Sequence, residues 1–190
     1  VIFIMWGYSA EIFTILVAPF LGLPIPLLPI HILWVNLVTD GLPSLALAAE
    51  PAEEALMKRK PKKAKEGFFA DGLGMKIVIN GLFIGAITLA IQYVSIYLQK
   101  DHWQTMVFTA LCFSQLALAL TIRNSTKSIF RTSLLANKFL LYTILATVLI
   151  QLCLIYVPFL NTIFNTAPLS VAELAITFGA GVLVILMIEI

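Results

Sequence analysis

Apolar residues fill six stretches of this chain, each about as long as a lipid bilayer is thick. A helix that rises about 1.5 Å per residue needs roughly 20 apolar residues to cross about 30 Å of hydrocarbon. The pattern therefore predicts an all-α fold, a six-helix transmembrane bundle. The predicted spans are Val1 to Leu23, Leu28 to Ala48, Leu73 to Leu98, Thr105 to Ile122, Phe139 to Val157 and Ser170 to Ile190.

The overall composition agrees with a membrane protein. Of the 190 residues, 61% are hydrophobic and 12% are charged, whereas soluble domains average about 45–50% apolar and 25% charged residues. An ordinary soluble domain is therefore excluded. Cys112 and Cys153 lie in apolar runs without the spacing of metal ligands, which indicates that they act as small hydrophobic residues.

The basic residues predict how the bundle is oriented. Most of them lie in two linkers, Glu50 to Gly72 and Arg123 to Lys138, while Lys100 is the one basic residue expected on the opposite side. Because cytoplasmic loops carry the excess of Lys and Arg, loops of about 49–72 and 123–138 should be cytoplasmic. Six spans then place both chain ends in the cytoplasm too. Each end falls inside an apolar run, so we expect a fragment of a longer protein.

A small-residue motif predicts one close helix contact. Gly81 and Gly85 form a GxxxG in the third span. Such a pair lets a second backbone approach closely, because no side chain separates the two helices. We expect this motif to serve packing only.

Polar and acidic residues interrupt the first two spans. Glu11 lies in the middle of the first, and Asn36, Thr39 and Asp40 lie together in the second. A carboxylate at the bilayer centre costs about 2.5–3.5 kcal/mol on insertion scales, so it needs a partner. No Lys or Arg lies at matching depth. The expected partner is a bound cation, a proton, or both, and Glu11 and Asp40 should approach each other near mid-membrane.

The spacing in the second span favours a cation site. Asn36 and Asp40 are four residues apart, so one helical face presents both side chains. Gly41 and Pro43 follow directly, which predicts that the helix unwinds over Asp40 to Leu42 and frees carbonyl oxygens. Oxygen ligands suit hard cations such as Ca²⁺, Na⁺, K⁺ or Mg²⁺ better than Zn²⁺ or Cu⁺.

Other polar residues in the spans leave alternatives open. Gln115, in the fourth span, either makes a structural hydrogen bond between helices or contacts the ion. Tyr8, one turn before Glu11, is either an aromatic packing residue or a hydroxyl that lines the site. His31 is expected at the membrane interface, and Gln92 and Gln151 are expected to be structural.

One motif carries a family resemblance. The run from Leu33 to Pro43, LWVNLVTDGLP, closely resembles the sixth transmembrane helix of P-type calcium ATPases of the sarco/endoplasmic reticulum type. Gly22 to Pro24 before it and Lys58 to Pro61 after it extend the match. The resemblance covers essentially the whole chain, so residues 1–190 are expected to be the C-terminal membrane domain, helices five to ten, of a P-type cation ATPase.

The resemblance also implies roles for particular residues. Glu11 falls where the family's fifth helix supplies a ligand, and Asn36, Thr39 and Asp40 fall on the sixth-helix ligands. Gln115 stands where the reticulum pump has a Glu, and Tyr8 stands where it has an Asn. The implied metal site is therefore Glu11, Asn36, Thr39, Asp40 and Gln115, with one Ca²⁺ per cycle. Glu11 is expected to carry a counter-transported H⁺.

Other expectations concern what lies outside this chain. The family's phosphorylated aspartate, in DKTGT, and its ATP-binding domain lie upstream, so this fragment alone should be inactive. ATP and Mg²⁺ would act only through that missing N-terminal part. The remaining expected partners are the lipid bilayer and the transported cation, and no nucleic acid. A bacterial plasma membrane is the expected location.

Two other functions remain as alternatives. A Na⁺- or H⁺/K⁺-type pump fits Gln115, although sodium pumps carry a second Asp near the position of Asn36. A stand-alone six-helix channel or secondary transporter would be expected to show inverted internal repeats, and the sequence shows no such self-similarity.

Overall fold

Six long apolar helices make up the computed structural model, which describes residues 2–49, 73–122 and 138–189. The first two spans are formed by α1 (Ile2–Phe20) and by α2 (Pro29–Trp34) with α3 (Gly41–Ala48). The remaining spans are α4 (Leu73–Tyr97), α5 (Trp103–Ile122), α6 (Lys138–Tyr156) and α8 (Val171–Glu189), and α7 (Pro158–Phe164) is a short helix between the last two. The predicted six-helix fold is thus confirmed, and the loops 50–72 and 123–137 lie outside the described residues.

The centre of the bundle is α5. It is buried along nearly its whole length, with Phe108, Leu111 and Leu118 among the largest fully buried side chains. It packs chiefly against α8 and α4, while α1 packs chiefly against α4. The outer helices leave many large apolar side chains exposed, as a lipid-facing surface requires.

The close contact predicted from GxxxG joins α1 and α4. A Cβ atom added to Gly81 would overlap the Oγ and Cβ of Ser9 and would lie 3.1 Å from the Ser9 carbonyl carbon. At Gly85 an added Cβ would overlap the ring of Phe13. The two glycines therefore let the backbones of α1 and α4 approach closely.

Replacing Gly81 with alanine should destabilise the bundle. The new methyl group meets the backbone of Ser9, so α1 and α4 must separate, and overpacking of this kind typically costs about 1–3 kcal/mol. Gly179→Ala is the matched control, because nothing lies within 4 Å of its added Cβ. Denaturant unfolding of the purified protein in detergent measures both. Equal unfolding free energies for the two variants would contradict the packing role.

The second span is irregular at a different place from the one predicted. Residues Val35–Thr39 form a π-helical turn, and the Asp40 amide donates to the Val35 carbonyl at 2.8 Å. Gly41 and Leu42 are helical within α3, and the Ser44 amide donates to the Asp40 carbonyl at 3.0 Å. The predicted unwinding over Asp40 to Leu42 is therefore wrong.

The position of Pro43 explains this difference. Pro43 is the third residue of α3, in a first turn whose amides have no intrahelical partner in any case, so it is tolerated there. Because Pro43 has no N–H, it cannot donate to the Thr39 carbonyl four residues earlier. The irregularity is taken up by the π-helical turn just before Asp40, a feature that is frequent at functional sites.

The ends of the spans are tied by polar contacts. Ser170 and Glu173 form a capping box at the start of α8, in which the Glu173 amide donates to the Ser170 hydroxyl and the Ser170 amide donates to the Glu173 carboxylate. The Lys100 ammonium lies 3.4 Å from the Glu173 carboxylate. This ion pair joins the turn after α4 to the start of α8.

Candidate cation site

Glu11 is a buried carboxylate that links three elements. Its side chain on α1 is 4% exposed. The Gln115 amide of α5 donates to one carboxylate oxygen at 3.1 Å, and the Asn36 amide of the π-helical turn donates to the other at 3.3 Å. Both oxygens of Glu11 are therefore engaged by neutral amide donors.

Asp40 is buried without any such partner. It is 1% exposed and lies between the π-helical turn and α3. Neither of its carboxylate oxygens accepts a hydrogen bond. No basic side chain within residues 2–49, 73–122 and 138–189 forms an ion pair with Asp40 or with Glu11. Burying a carboxylate without a partner costs free energy unless a cation or a proton binds to it.

The two carboxylates share one neighbourhood, formed around Gly7 and Gln115. A Cβ atom built on Gly7 would lie 2.6 Å from Asp40 Oδ2 and 3.3 Å from Gln115 Nε2, and the same nitrogen is 3.1 Å from Glu11 Oε1. The Gln115 amide is therefore close to Glu11, and the position of Gly7 is close to both Gln115 and Asp40. The two side chains are thus closer than a helix diameter of about 12 Å.

Four buried oxygens at this place have no hydrogen-bond partner. They are both carboxylate oxygens of Asp40, the amide oxygen of Asn36 and the amide oxygen of Gln115. Buried polar atoms are nearly always paired. Several unpaired acceptors in one place therefore indicate that a cation or a hydrogen-bond donor binds there. The donor set is all oxygen. Oxygen ligands suit a hard cation better than zinc. Among the described residues no group of three or more His, Cys, Asp or Glu that could hold a metal ion is found.

Thr39 lies at the edge of this cluster, and its side chain is turned to α5. It is fully buried, and its hydroxyl lies 3.6 Å from the Cys112 sulfur. Its carbonyl oxygen is the one that Pro43 leaves without a donor. Thr39 can therefore offer a cation its carbonyl as well as its hydroxyl.

The structure bears on two of the open alternatives. Tyr8 is 44% exposed and lines an open apolar groove with Met5 and Ile12, which favours the packing role. Gln115 makes an interhelical hydrogen bond and still keeps a free amide oxygen. Sequence reasoning missed Gly7, although its place four residues before Glu11 puts it on the same helical face.

His31, expected at the membrane interface, lies in the first turn of α2 and is buried inside the bundle. It is fully buried and stacks on Phe108, with 4.4 Å between the ring centroids. One ring nitrogen accepts from the Leu28 amide at 3.3 Å, and the other donates to the Phe164 carbonyl at 2.7 Å. Its role is to hold the start of α2 against the end of α7.

The two glutamines expected to be structural make hydrogen bonds to α2 and to the loop before it. The Gln92 amide donates to the Pro24 carbonyl at 2.7 Å, and Gln151 accepts from the Trp34 indole at 2.9 Å. Neither side chain bonds to Glu11 or to Asp40. Both contacts tie other spans to the segment that carries Asp40.

Comparison with known proteins adds independent information. The family model described as "Cation transporting ATPase, C-terminus" matches residues 24–190. The chain is 41% identical over 173 residues to a calcium-transporting ATPase of Bacillus subtilis, and 38% identical over 191 residues to calcium-transporting ATPase 1 of Bacillus cereus. It is 31% identical over 185 residues to the calcium-transporting ATPase type 2C member 1 of Pongo abelii.

These alignments cover 89%, 91% and 95% of this chain but only 19%, 21% and 20% of the three relatives. The chain thus spans about a fifth of the length of the curated relatives it matches. None of the three names specifies the sarco/endoplasmic reticulum type, so that finer resemblance stays a prediction. The six apolar spans and the match over residues 24–190 lead to one assignment: the chain belongs to the C-terminal membrane region of the cation-transporting ATPase family.

Proposed function

We propose that this chain is the ion-translocating membrane domain of an ATP-driven calcium pump. Its transported Ca²⁺ would be bound by Glu11, Asn36, Thr39, Asp40 and Gln115. The observation that carries the proposal is Asp40, a buried carboxylate with two unpaired oxygens beside the unpaired amide oxygens of Asn36 and Gln115. A divalent cation satisfies all four acceptors and neutralises the buried charge.

Calcium is favoured over sodium by the chemistry of the site and by the relatives. Ca²⁺ takes six to eight oxygen ligands and draws its affinity from anionic ones, which two carboxylates of one site supply. The relatives named above are calcium-transporting ATPases. The sodium alternative rests on Gln115 alone, and Gln115 also suits a calcium site because its amide oxygen is free.

The other parts of the proposal follow from the domain arrangement expected for the family. Residues 1–190 would act as one membrane domain, with the loops 49–72 and 123–138 in the cytoplasm. ATP and Mg²⁺ would bind to the N-terminal part of the pump, where phosphorylation takes place. H⁺ would move against Ca²⁺, carried by Glu11, and the membrane would be a bacterial plasma membrane.

Transport by the complete pump that contains this chain tests the proposal. Reconstituted into sealed vesicles, it should take up Ca²⁺ when ATP is added, without any requirement for Na⁺ or K⁺. The pH inside the vesicles should rise as H⁺ leaves. ATP-driven movement of Na⁺ or K⁺ without Ca²⁺ uptake would overturn the calcium assignment, and Ca²⁺ uptake at constant internal pH would overturn the proton exchange alone.

A further inference from the structure

Gly7 of α1 lies beside the Asp40 carboxylate. It is buried and stands one helical turn before Glu11, on the same face. An added Cβ at Gly7 would meet Asp40 Oδ2 at 2.6 Å, Gln115 Nε2 at 3.3 Å and Asp40 Cγ at 3.4 Å. A side chain at Gly7 would thus meet two proposed ligands at once.

The atoms that an added Cβ at Gly7 would meet belong to proposed ligands and not to a neighbouring helix backbone. At Gly81 the added Cβ would overlap Ser9, and at Gly181 it would lie 3.0 Å from the carbonyl oxygen of Phe113. At Gly7 the neighbours are the ends of the Asp40 and Gln115 side chains, which can turn aside. A methyl group at Gly7 would therefore move the ligands while leaving the helices where they are.

We propose that Gly7 is a positioning residue of the cation site, whose missing side chain provides the room in which the Asp40 carboxylate and the Gln115 amide meet the ion. This inference rests on the proposed function, because it concerns how the same site recognises Ca²⁺. Gly7 touches no ion itself and acts through Asp40 and Gln115. Its effect is on the distance between ligands, and therefore on which size of ion fits.

The effect of a methyl group at Gly7 on ion affinity follows from how Ca²⁺ is coordinated. Calcium sites tolerate varied geometry but depend on the number and charge of the oxygens that reach the ion. A methyl group at Gly7 displaces the one carboxylate without hydrogen bonds and crowds the amide beside it. The remaining volume is smaller, so a larger ion such as Sr²⁺ loses more affinity than Ca²⁺.

The test compares Gly7→Ala with wild type in the complete pump. The quantities measured are the Ca²⁺ and Sr²⁺ concentrations that give half-maximal ATP-driven uptake. Gly7→Ala should raise the value for Ca²⁺ by about 10- to 100-fold, the range found when groups that orient metal ligands are altered. The value for Sr²⁺ should rise further. Gly179→Ala and Tyr8→Phe serve as controls and should behave like wild type, since one lies in open space and the other faces the outer groove.

Each outcome decides the proposal. Normal Ca²⁺ affinity and a normal ratio of Sr²⁺ to Ca²⁺ in Gly7→Ala would overturn it and leave the proposed function intact. A Gly7→Ala protein that fails to assemble, judged by gel filtration in detergent, would show that Gly7 serves helix packing instead. Equal losses for both ions would likewise contradict a role in ion size. Absence of Ca²⁺ uptake by the wild-type pump would overturn the proposed function, and this inference with it.

Discussion

Replacing Asp40 with asparagine is expected to abolish Ca²⁺ transport and Ca²⁺-dependent phosphorylation of the complete pump. Asp40 supplies two of the four unpaired oxygens of the site, and it is the carboxylate that no hydrogen-bond donor occupies. Asparagine keeps the size of the side chain but removes the negative charge on which calcium affinity depends. Loss of this one negative charge is therefore expected to abolish Ca²⁺ binding.

The same variant should be produced in normal amounts. Removing a buried charge lowers the cost of inserting the second span, so the bundle should still form. Glu173→Gln is the matched control, because Glu173 is also a buried carboxylate but is paired with Lys100 at the start of α8. It should retain transport. Wild-type Ca²⁺-dependent phosphorylation in Asp40→Asn would show that Asp40 is not a ligand.

The second large effect concerns the number of ions carried. We expect one Ca²⁺ per cycle, because of the two carboxylates of the site Asp40 alone is free of hydrogen bonds, while both oxygens of Glu11 accept from Asn36 and Gln115. The Tyr8 side chain lines the outer groove. A second divalent ion would lack the anionic ligands that it requires.

Glu11 has a different expected role. When Ca²⁺ is absent, two neighbouring carboxylates remain buried without a cation, and a proton offsets the cost of that charge. Glu11→Gln should therefore weaken Ca²⁺ binding by about 10- to 100-fold without abolishing it. It should also remove the rise in internal pH that accompanies uptake. Unchanged proton movement in Glu11→Gln would assign the exchanged proton to another group.

The fold was predictable because the apolar pattern has the length of a bilayer span. Each of the six spans begins and ends within a few residues of its predicted bounds. The short helix α7 was not predicted, because residues 158–164 lie between two predicted spans and are too few to cross a membrane. The hydrogen bond of His31 could not be predicted for the same reason, since the carbonyl that His31 binds belongs to Phe164 at the end of α7.

The site was predictable only in part, because a helical pattern does not fix the rotation of a helix about its axis. Gly7 and Tyr8 both lie about one turn before Glu11. The rotation of α1 is set by its packing, in which Ser9 and Phe13 face the glycines of α4. At 3.6 residues per turn, Gly7 and Glu11 then point away from α4 and toward Asp40, while Tyr8 faces outward. The partner helix could not be identified from the local sequence.

The break in the second span shows a similar limit. Gly41 and Pro43 correctly indicated an irregular helix beside Asp40. Their residue types do not specify whether the helix unwinds after Asp40 or widens before it. In the structure the irregularity is the π-helical turn over Val35–Thr39, closed by the hydrogen bond from the Asp40 amide to the Val35 carbonyl, and Asp40 is buried directly after it.

Equilibrium Ca²⁺ binding at saturation, counted per phosphorylatable pump, tests the site most directly. The complete wild-type pump should bind one Ca²⁺, and the Asp40→Asn variant should bind none, whereas Glu173→Gln should still bind one. A wild-type ratio near two would contradict the single site around Glu11 and Asp40. Full binding by Asp40→Asn would contradict the site itself.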